Sequence, residues 1–157
     1  MISCKIDGVY CRELVINRDN RGSLCELFRF DELPDWFRPA MGYVSTTEPG
    51  LVRGPHEHVK QSDCFCFVGP SNFTLTLWDE RKDSPTYGIF DWFLVGHDRP
   101  ALIIVPPGVV HGYYNVGGVS GVVYNFPNQL YAGYGRTEEV DEIRHEDDPN
   151  APFVVKL

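Results

Sequence analysis

What this 157-residue chain lacks narrows its identity first. No apolar run approaches the ~18 residues of a membrane-spanning helix. Positive charge is scarce: Lys and Arg total 14 against 22 Asp and Glu, a formal net charge of −8. A surface that grips nucleic acid or an anionic membrane needs the opposite balance, so neither is expected as a partner. An anionic small ligand stays open, because a pocket can be locally basic on an acidic protein. The opening Met1-Ile2-Ser3-Cys4-Lys5-Ile6-Asp7-Gly8 lacks a charged-then-apolar leader pattern, so a cytoplasmic location is expected. Repeats, low-complexity segments and linkers are also missing. Paired cysteines are missing too. The five cysteines (Cys4, Cys11, Cys25, Cys64 and Cys66) are an odd number, and no second pair lies near Cys64-x-Cys66. Reduced thiols follow, with Cys64 and Cys66 packing as small hydrophobes rather than binding metal.

What is present reads as strands and turns. Gly (15) and Pro (12) punctuate the chain about every ten residues. Leu24 to Phe30 alternates without a cleanly polar face. Cys64-Phe65-Cys66-Phe67-Val68 is a strand closed by Gly69-Pro70. Phe73 to Asp79 alternates with period two, with Phe73, Leu75 and Leu77 on one side and two Thr on the other. Strands follow at Ile89 to Val95 and Ala101 to Val105. His111 to Val116 and Val119 to Asn125 are expected to pair as a hairpin across Gly117-Gly118. Helix candidates are few: Asp31 to Phe37 and Glu138 to Ile143. The acidic stretch His145 to Asn150 reads as a solvated tail or docking arm. Short strands at regular spacing in one domain, residues 1–157, indicate a sandwich or small barrel.

Histidine carries the sharpest chemical signal. His56 and His58 flank one residue, so on a strand both point the same way. They sit in Gly50-x5-His56-x-His58-x4-Asp63-x5-Gly69, with Pro106-x-Gly108-x2-His111-x3-Asn115 downstream. These segments resemble the two motifs of the cupins, which implies an all-β jelly roll with both inside one cavity. His97 and His145 lie in polar turns and read as surface residues. Two chemistries compete for the cluster. One is a metal-dependent cupin site, with His56, His58 and His111 as nitrogen ligands and Asp63 as carboxylate, suited to Zn, Fe or Mn. The other is metal-free acid–base work by a histidine.

A closer resemblance bears on that choice. Asp19-x-Arg21-Gly22-x-Leu24-x-Glu26, Leu51-Val52-Arg53-Gly54-Pro55-His56-Glu57-His58, Asp79 through Ser84-Pro85-Thr86-Tyr87-Gly88, Pro106-Pro107-Gly108-Val109-Val110-His111-Gly112-Tyr113 and Asp147-Asp148-Pro149 occur in order. Together they resemble the motifs of the dTDP-4-dehydrorhamnose 3,5-epimerase family over roughly residues 17–150. The resemblance implies an epimerase of a nucleotide-linked 4-keto-6-deoxy sugar that needs no cofactor or metal. It implies His56 as the base and Tyr131, in Leu130-Tyr131-Ala132-Gly133-Tyr134, as the acid on the opposite face. Arg53, His58 and His111 match pocket positions. Arg21 and Glu26 match a strand that reaches into a partner subunit's nucleotide site, implying a homodimer.

Several positions depart from the family pattern. Asp63 stands where the strand after the base carries a Lys in the family. His58 replaces a Gln, and Tyr43 an Asn. The family pairs its base with an Asp beyond the Asp-Asp-Pro motif, and this sequence offers no equivalent before Leu157. Asp63, Asp148 and Glu57 are the candidate substitutes. The His-x-His pattern with Gln61 also resembles the dTDP-sugar 3,4-ketoisomerases, which lack the Ser-Pro-Thr-Tyr-Gly turn. The remaining alternative is a non-catalytic sugar-nucleotide-binding protein.

Overall fold

The computed structural model describes residues 2–155. Twelve strands follow in order: β1 (Tyr10–Glu13), β2 (Ile16–Asp19), β3 (Gly22–Cys25), β4 (Tyr43–Thr47), β5 (Val52–Glu57), β6 (Asp63–Gly69), β7 (Asn72–Asp79), β8 (Phe90–Gly96), β9 (Ala101–Val105), β10 (Val109–Asn115), β11 (Gly121–Asn125) and β12 (Ile143–Arg144). They form two antiparallel five-stranded sheets, β1-β9-β6-β11-β4 and β12-β5-β10-β7-β8, and a separate β2-β3 hairpin. This is the all-β, cupin-like fold expected from the sequence.

Strict alternation explains the packing. Phe65 and Phe67 of β6 point between the sheets, where they join Phe73, Leu75 and Leu77 of β7, Ile103, Val105, Val109, Tyr113 and Val123. Cys64 and Cys66 point the other way, with Leu102 and Ile104, under Leu33 and Phe37. Both faces of β6 and β9 are therefore dry, which is why neither reads as half-polar. Each fully buried Leu, Ile or Phe stabilises by about 1.5–3 kcal/mol. All five cysteines are free thiols.

Neither helix candidate forms an α-helix. Residues 31–37 make turns around Pro34, anchored by buried Leu33 and Phe37. Residues 138–142 form no regular element and lead into β12, which pairs with β5 through Ile143–Glu57 and Arg144–His56. Here tertiary pairing overrides a local pattern. The acidic stretch is thus a docked arm at its start. His145 is half-buried rather than exposed, with Nε2 2.9 Å from Oε1 of Glu57.

The expected hairpin across Gly117-Gly118 does not form. β10 pairs with β5 and β7, whereas β11 pairs with β4 and β6, so the chain crosses from one sheet to the other. The Asn115 side chain organises this crossing. Its Oδ1 accepts from Ser71 Oγ and Gly117 N, and its Nδ2 donates to the carbonyls of Thr47 and Val119. Gly117 is needed for close approach: a Cβ there would lie 2.0 Å from Ser71 Oγ.

Candidate active site

The open end between the sheets holds a cavity of about 1070 Å³. Its walls come from β4, β5, the 127–136 loop and the 138–146 arm. Arg53, His56, His58 and Tyr131 all line it. On β5, His56 lies opposite His111 of β10, with ring centroids 4.5 Å apart. His111 is 2% exposed and sits behind His56 rather than on the cavity surface. Tyr131 lies on the rim loop, 54% exposed, its amide donating to Met41 Sδ. Arg53 is held by Thr47 Oγ1 at 3.0 Å and the Thr46 carbonyl at 2.7 Å.

Arg21 and Glu26 lie elsewhere. Arg21 follows β2 at the exposed hairpin turn and pairs with Asp19. Glu26 lines a separate shallow cleft with Arg12, Leu14 and Leu24. Neither lines the cavity of its own chain.

Asp63, at the start of β6, organises the floor. Its Oδ2 lies 3.1 Å from Nε2 of both His58 and His111. Its Oδ1 accepts from Gln61 and Asn125, each at 2.9 Å. Burial alone would raise this carboxyl's pKa; hydrogen bonds and charge from His111 and His58 outweigh it and hold the group well below the ordinary range. The other ring nitrogens face backbone carbonyls: His58 Nδ1 that of Asp141, and His111 Nδ1 that of Val109 at 2.9 Å. Burial acts to lower the His58 pKa, but bonding to Asp63 and its charge prevail and push it up to about 8. His56 has no such carboxylate contact. Burial, reinforced by the charge of His111, pushes its pKa down to about 2, so the ring stays neutral and its lone pair available. The His56, His58, Asp63 and His111 donor atoms all lie within 4.8 Å of one another, the set that could hold a metal.

Of the expected carboxylate partners for His56, none is placed beside it. Asp63 is taken up by the other two imidazoles and Glu57 by His145. Glu142, on the arm, stands instead 3.9 Å from His56 Nδ1. The arm is fastened by Asp141, whose carboxylate accepts from the amides of Val59, Lys60 and Gln61. Tyr43 also lines the cavity; Asn125 donates to its hydroxyl at 2.8 Å, and burial pushes its pKa up to about 12. Sequence reasoning missed Asn125, although a polar residue at an inward position of the alternating strand Gly121–Asn125 was a usable signal. Glu142 had no such signal, because its segment reads locally as helix.

Comparison with known proteins agrees with this geometry. The family model for dTDP-4-dehydrorhamnose 3,5-epimerase matches residues 3–149. A probable low-salt glycan biosynthesis epimerase, Agl13, of Haloferax volcanii is 37% identical over 127 residues, covering 80% of this chain and 81% of that protein. The spore coat polysaccharide biosynthesis protein SpsL of Bacillus subtilis is 36% identical over 127 residues, covering 80% and 82%. Among solved structures, a dTDP sugar isomerase from Desulfovibrio desulfuricans superposes with a TM-score of 0.84 at 23% identity, over 98% of this chain and 94% of that one. The RmlC enzyme of Legionella pneumophila, solved with dTDP-4-keto-L-rhamnose, gives 0.74 at 22% identity, over 99% and 85%. At these identities the structures speak for the shared fold; the family model and the sequence relatives carry the assignment. With a match spanning nearly the whole described chain, this protein belongs to the dTDP-4-dehydrorhamnose 3,5-epimerase family of sugar-nucleotide epimerases.

Proposed function

We propose that the chain inverts C3, C5 or both of a nucleotide-linked 4-keto-6-deoxy sugar, with His56 as base and Tyr131 as acid. The observation that carries this reading is the presence of a largely desolvated imidazole and an accessible phenol on one cavity large enough for a hexose. The 4-keto group acidifies the hydrogens on the adjoining carbons. His56 takes one of them, and the electron pair of the broken C–H bond moves onto the ketone oxygen. The Arg53 guanidinium favours the oxyanion so formed. Tyr131 then delivers a proton to the same carbon from the opposite face, and the ketone re-forms with that centre inverted. Removal and delivery by two groups on different faces is what distinguishes inversion from simple exchange.

The β2-β3 hairpin supports a homodimeric enzyme. Arg21 and Glu26 lie away from their own cavity, and Leu24 and Val15 beside them are 68% and 72% exposed. In the proposed assembly this hairpin serves the nucleotide end of a second copy's cavity, in the cytoplasm. The glycan and spore-coat roles named for the two sequence relatives favour a surface-polysaccharide precursor as the product.

Solvent exchange tests the reading. Incubated in heavy water with a dTDP-linked 4-keto-6-deoxy sugar, the protein should incorporate deuterium at C3 or C5, and His56→Ala should abolish incorporation. Binding of the sugar nucleotide without incorporation would favour a non-catalytic binding protein.

A further inference from the structure

Tyr43 and Asn125 meet on the cavity wall for a reason set by the sheet. Tyr43 of β4 stands directly opposite Asn125 of β11, and Asn125 stands opposite Phe65 of β6 on its other side. Side chains two apart on a strand share a face, so Asp63 points the same way as Phe65 and lies diagonal to Asn125. Asn125 is 1% exposed and uses its whole amide here. Its Oδ1 accepts from the Cys64 amide at 3.0 Å. Its Nδ2 donates to Asp63 Oδ1 at 2.9 Å and to the Tyr43 hydroxyl oxygen at 2.8 Å.

The direction of these bonds decides what the phenol can do. The amide oxygen of Asn125 is taken by a backbone N–H, and both Nδ2 hydrogens are spent. Asn125 can therefore give to Tyr43 but cannot receive from it. A hydroxyl has one hydrogen to donate, and among the described residues no acceptor faces that of Tyr43. Tyr43 lines the cavity with His56 and Arg53, so this hydrogen is left for an acceptor on a bound molecule. The N–H given to the phenol oxygen also polarises its O–H and makes it a better donor. Arg53, by contrast, has Nε and Nη2 already committed to Thr47 Oγ1 and the Thr46 carbonyl.

Resting on the epimerase reading above, we propose that Tyr43 donates its hydroxyl hydrogen to the C4 ketone oxygen of the bound sugar. It thereby stabilises the oxyanion formed when His56 removes the neighbouring proton. A ketone oxygen can only accept, which matches a wall group left with only a hydrogen to give. The ketone carbon is also bonded to the carbon that His56 attacks. Asp63, which shares the Asn125 amide with Tyr43, has its carboxylate within 4.8 Å of a His56 ring nitrogen. Tyr43 keeps its proton throughout. The hydrogen bond tightens as negative charge gathers on the oxygen, and relaxes when Tyr131 protonates the carbon and the ketone re-forms. A donor already fixed by Asn125 needs no reorganisation at that moment. Asn125 is a positioning residue, because it touches the phenol and not the sugar.

A dTDP-linked 4-keto-6-deoxy sugar, isotopically labelled at C4, tests the assignment by difference infrared spectroscopy and by the deuterium-exchange assay. In the unaltered protein the carbonyl band of the bound sugar should lie at lower frequency than in Tyr43→Phe, because a donated hydrogen weakens the C=O bond. Tyr43→Phe should lower kcat for exchange about 10²–10³-fold with little change in KM. Exchange and inversion should fall together, unlike the split expected when an acid is removed. A ring-fluorinated tyrosine in place of Tyr43 keeps the ring and hydroxyl, donates more strongly and should lower the band further. It carries the test if the thermal transition shows Tyr43→Phe to be unfolded. Equal bands in the unaltered protein and Tyr43→Phe, or a band unmoved by the fluorinated ring, overturn the proposal. So does a raised KM at unchanged kcat, the mark of uniform binding. Retained exchange with lost inversion overturns it too, by making Tyr43 the acid. The band is read on bound sugar without turnover. A protein that shows the band shift but no exchange therefore refutes the epimerase reading and upholds the hydrogen bond; one that exchanges without the shift does the reverse.

Discussion

Oε1 of Glu142 lies 3.9 Å from Nδ1 of His56, across 86 residues of sequence. The carboxylate reaches the base because Asp141 ties the arm to three backbone amides and β12 pairs with β5. Its partner Arg144, 3.7 Å away, helps to orient it. A carboxylate there favours the imidazole orientation and the imidazolium that proton abstraction creates. Glu142→Gln is expected to lower kcat for deuterium exchange roughly tenfold with little change in KM. An altered KM with unchanged kcat would make Glu142 a binding residue instead.

Tyr131→Phe separates the two halves of the proposed reaction. His56 can still remove a proton and return solvent deuterium to the same face. Exchange should therefore persist, while inverted product falls by about 10²–10⁴-fold. Proton NMR of the sugar ring reads both together. Equal loss of exchange and inversion would place Tyr131 in binding or abstraction.

Asp79 fixes the Ser-Pro-Thr-Tyr-Gly turn. Its buried carboxylate accepts from Arg81 Nε and Nη2 and from the Ser84 and Thr86 hydroxyls. Burial would raise its pKa, but these bonds prevail and hold it below its ordinary 3.8. A depressed folded value contributes stability in full above the unfolded pKa, and loses it as pH falls through the folded one. Asp79→Ala should cost about 3–5 kcal/mol near neutrality by urea denaturation, because it removes the buried carboxylate on which Arg81 and two hydroxyls converge. The difference from the unaltered protein should shrink in strong acid. A pH-independent difference would point to lost packing alone.

Gly54 couples the fold to the base. Its φ is +79°, and a Cβ would meet the His111 carbonyl oxygen at 2.7 Å and His56 Nδ1 at 3.1 Å. Gly54→Ala is expected to destabilise by more than about 1 kcal/mol and to lower exchange by displacing His56. Circular dichroism melting with the exchange assay reads both; a variant as stable and active as the original would refute it.

Much of this was legible in the residues. Period-two alternation at Phe73–Asp79 decided that Phe73, Leu75 and Leu77 share a buried face, because side chains of a pleated strand must alternate. The His56-x-His58 spacing brought both imidazoles to one cavity, although His58 lies just past the end of β5. The ordered motifs were enough to indicate the family. Alternation says which way a side chain points, yet it is silent on which strand will lie alongside. That is why the Gly117-Gly118 hairpin failed: β10 pairs with β5 and β7 in one sheet, and β11 with β4 and β6 in the other. The tertiary structure alone decided that Asp63 sits between His58 and His111, that Glu142 arrives beside His56, and that Arg21 and Glu26 stand outside their own cavity. The first two outcomes depend on satisfying buried charge and polar groups. Their partners are remote in sequence and meet only when the two sheets close.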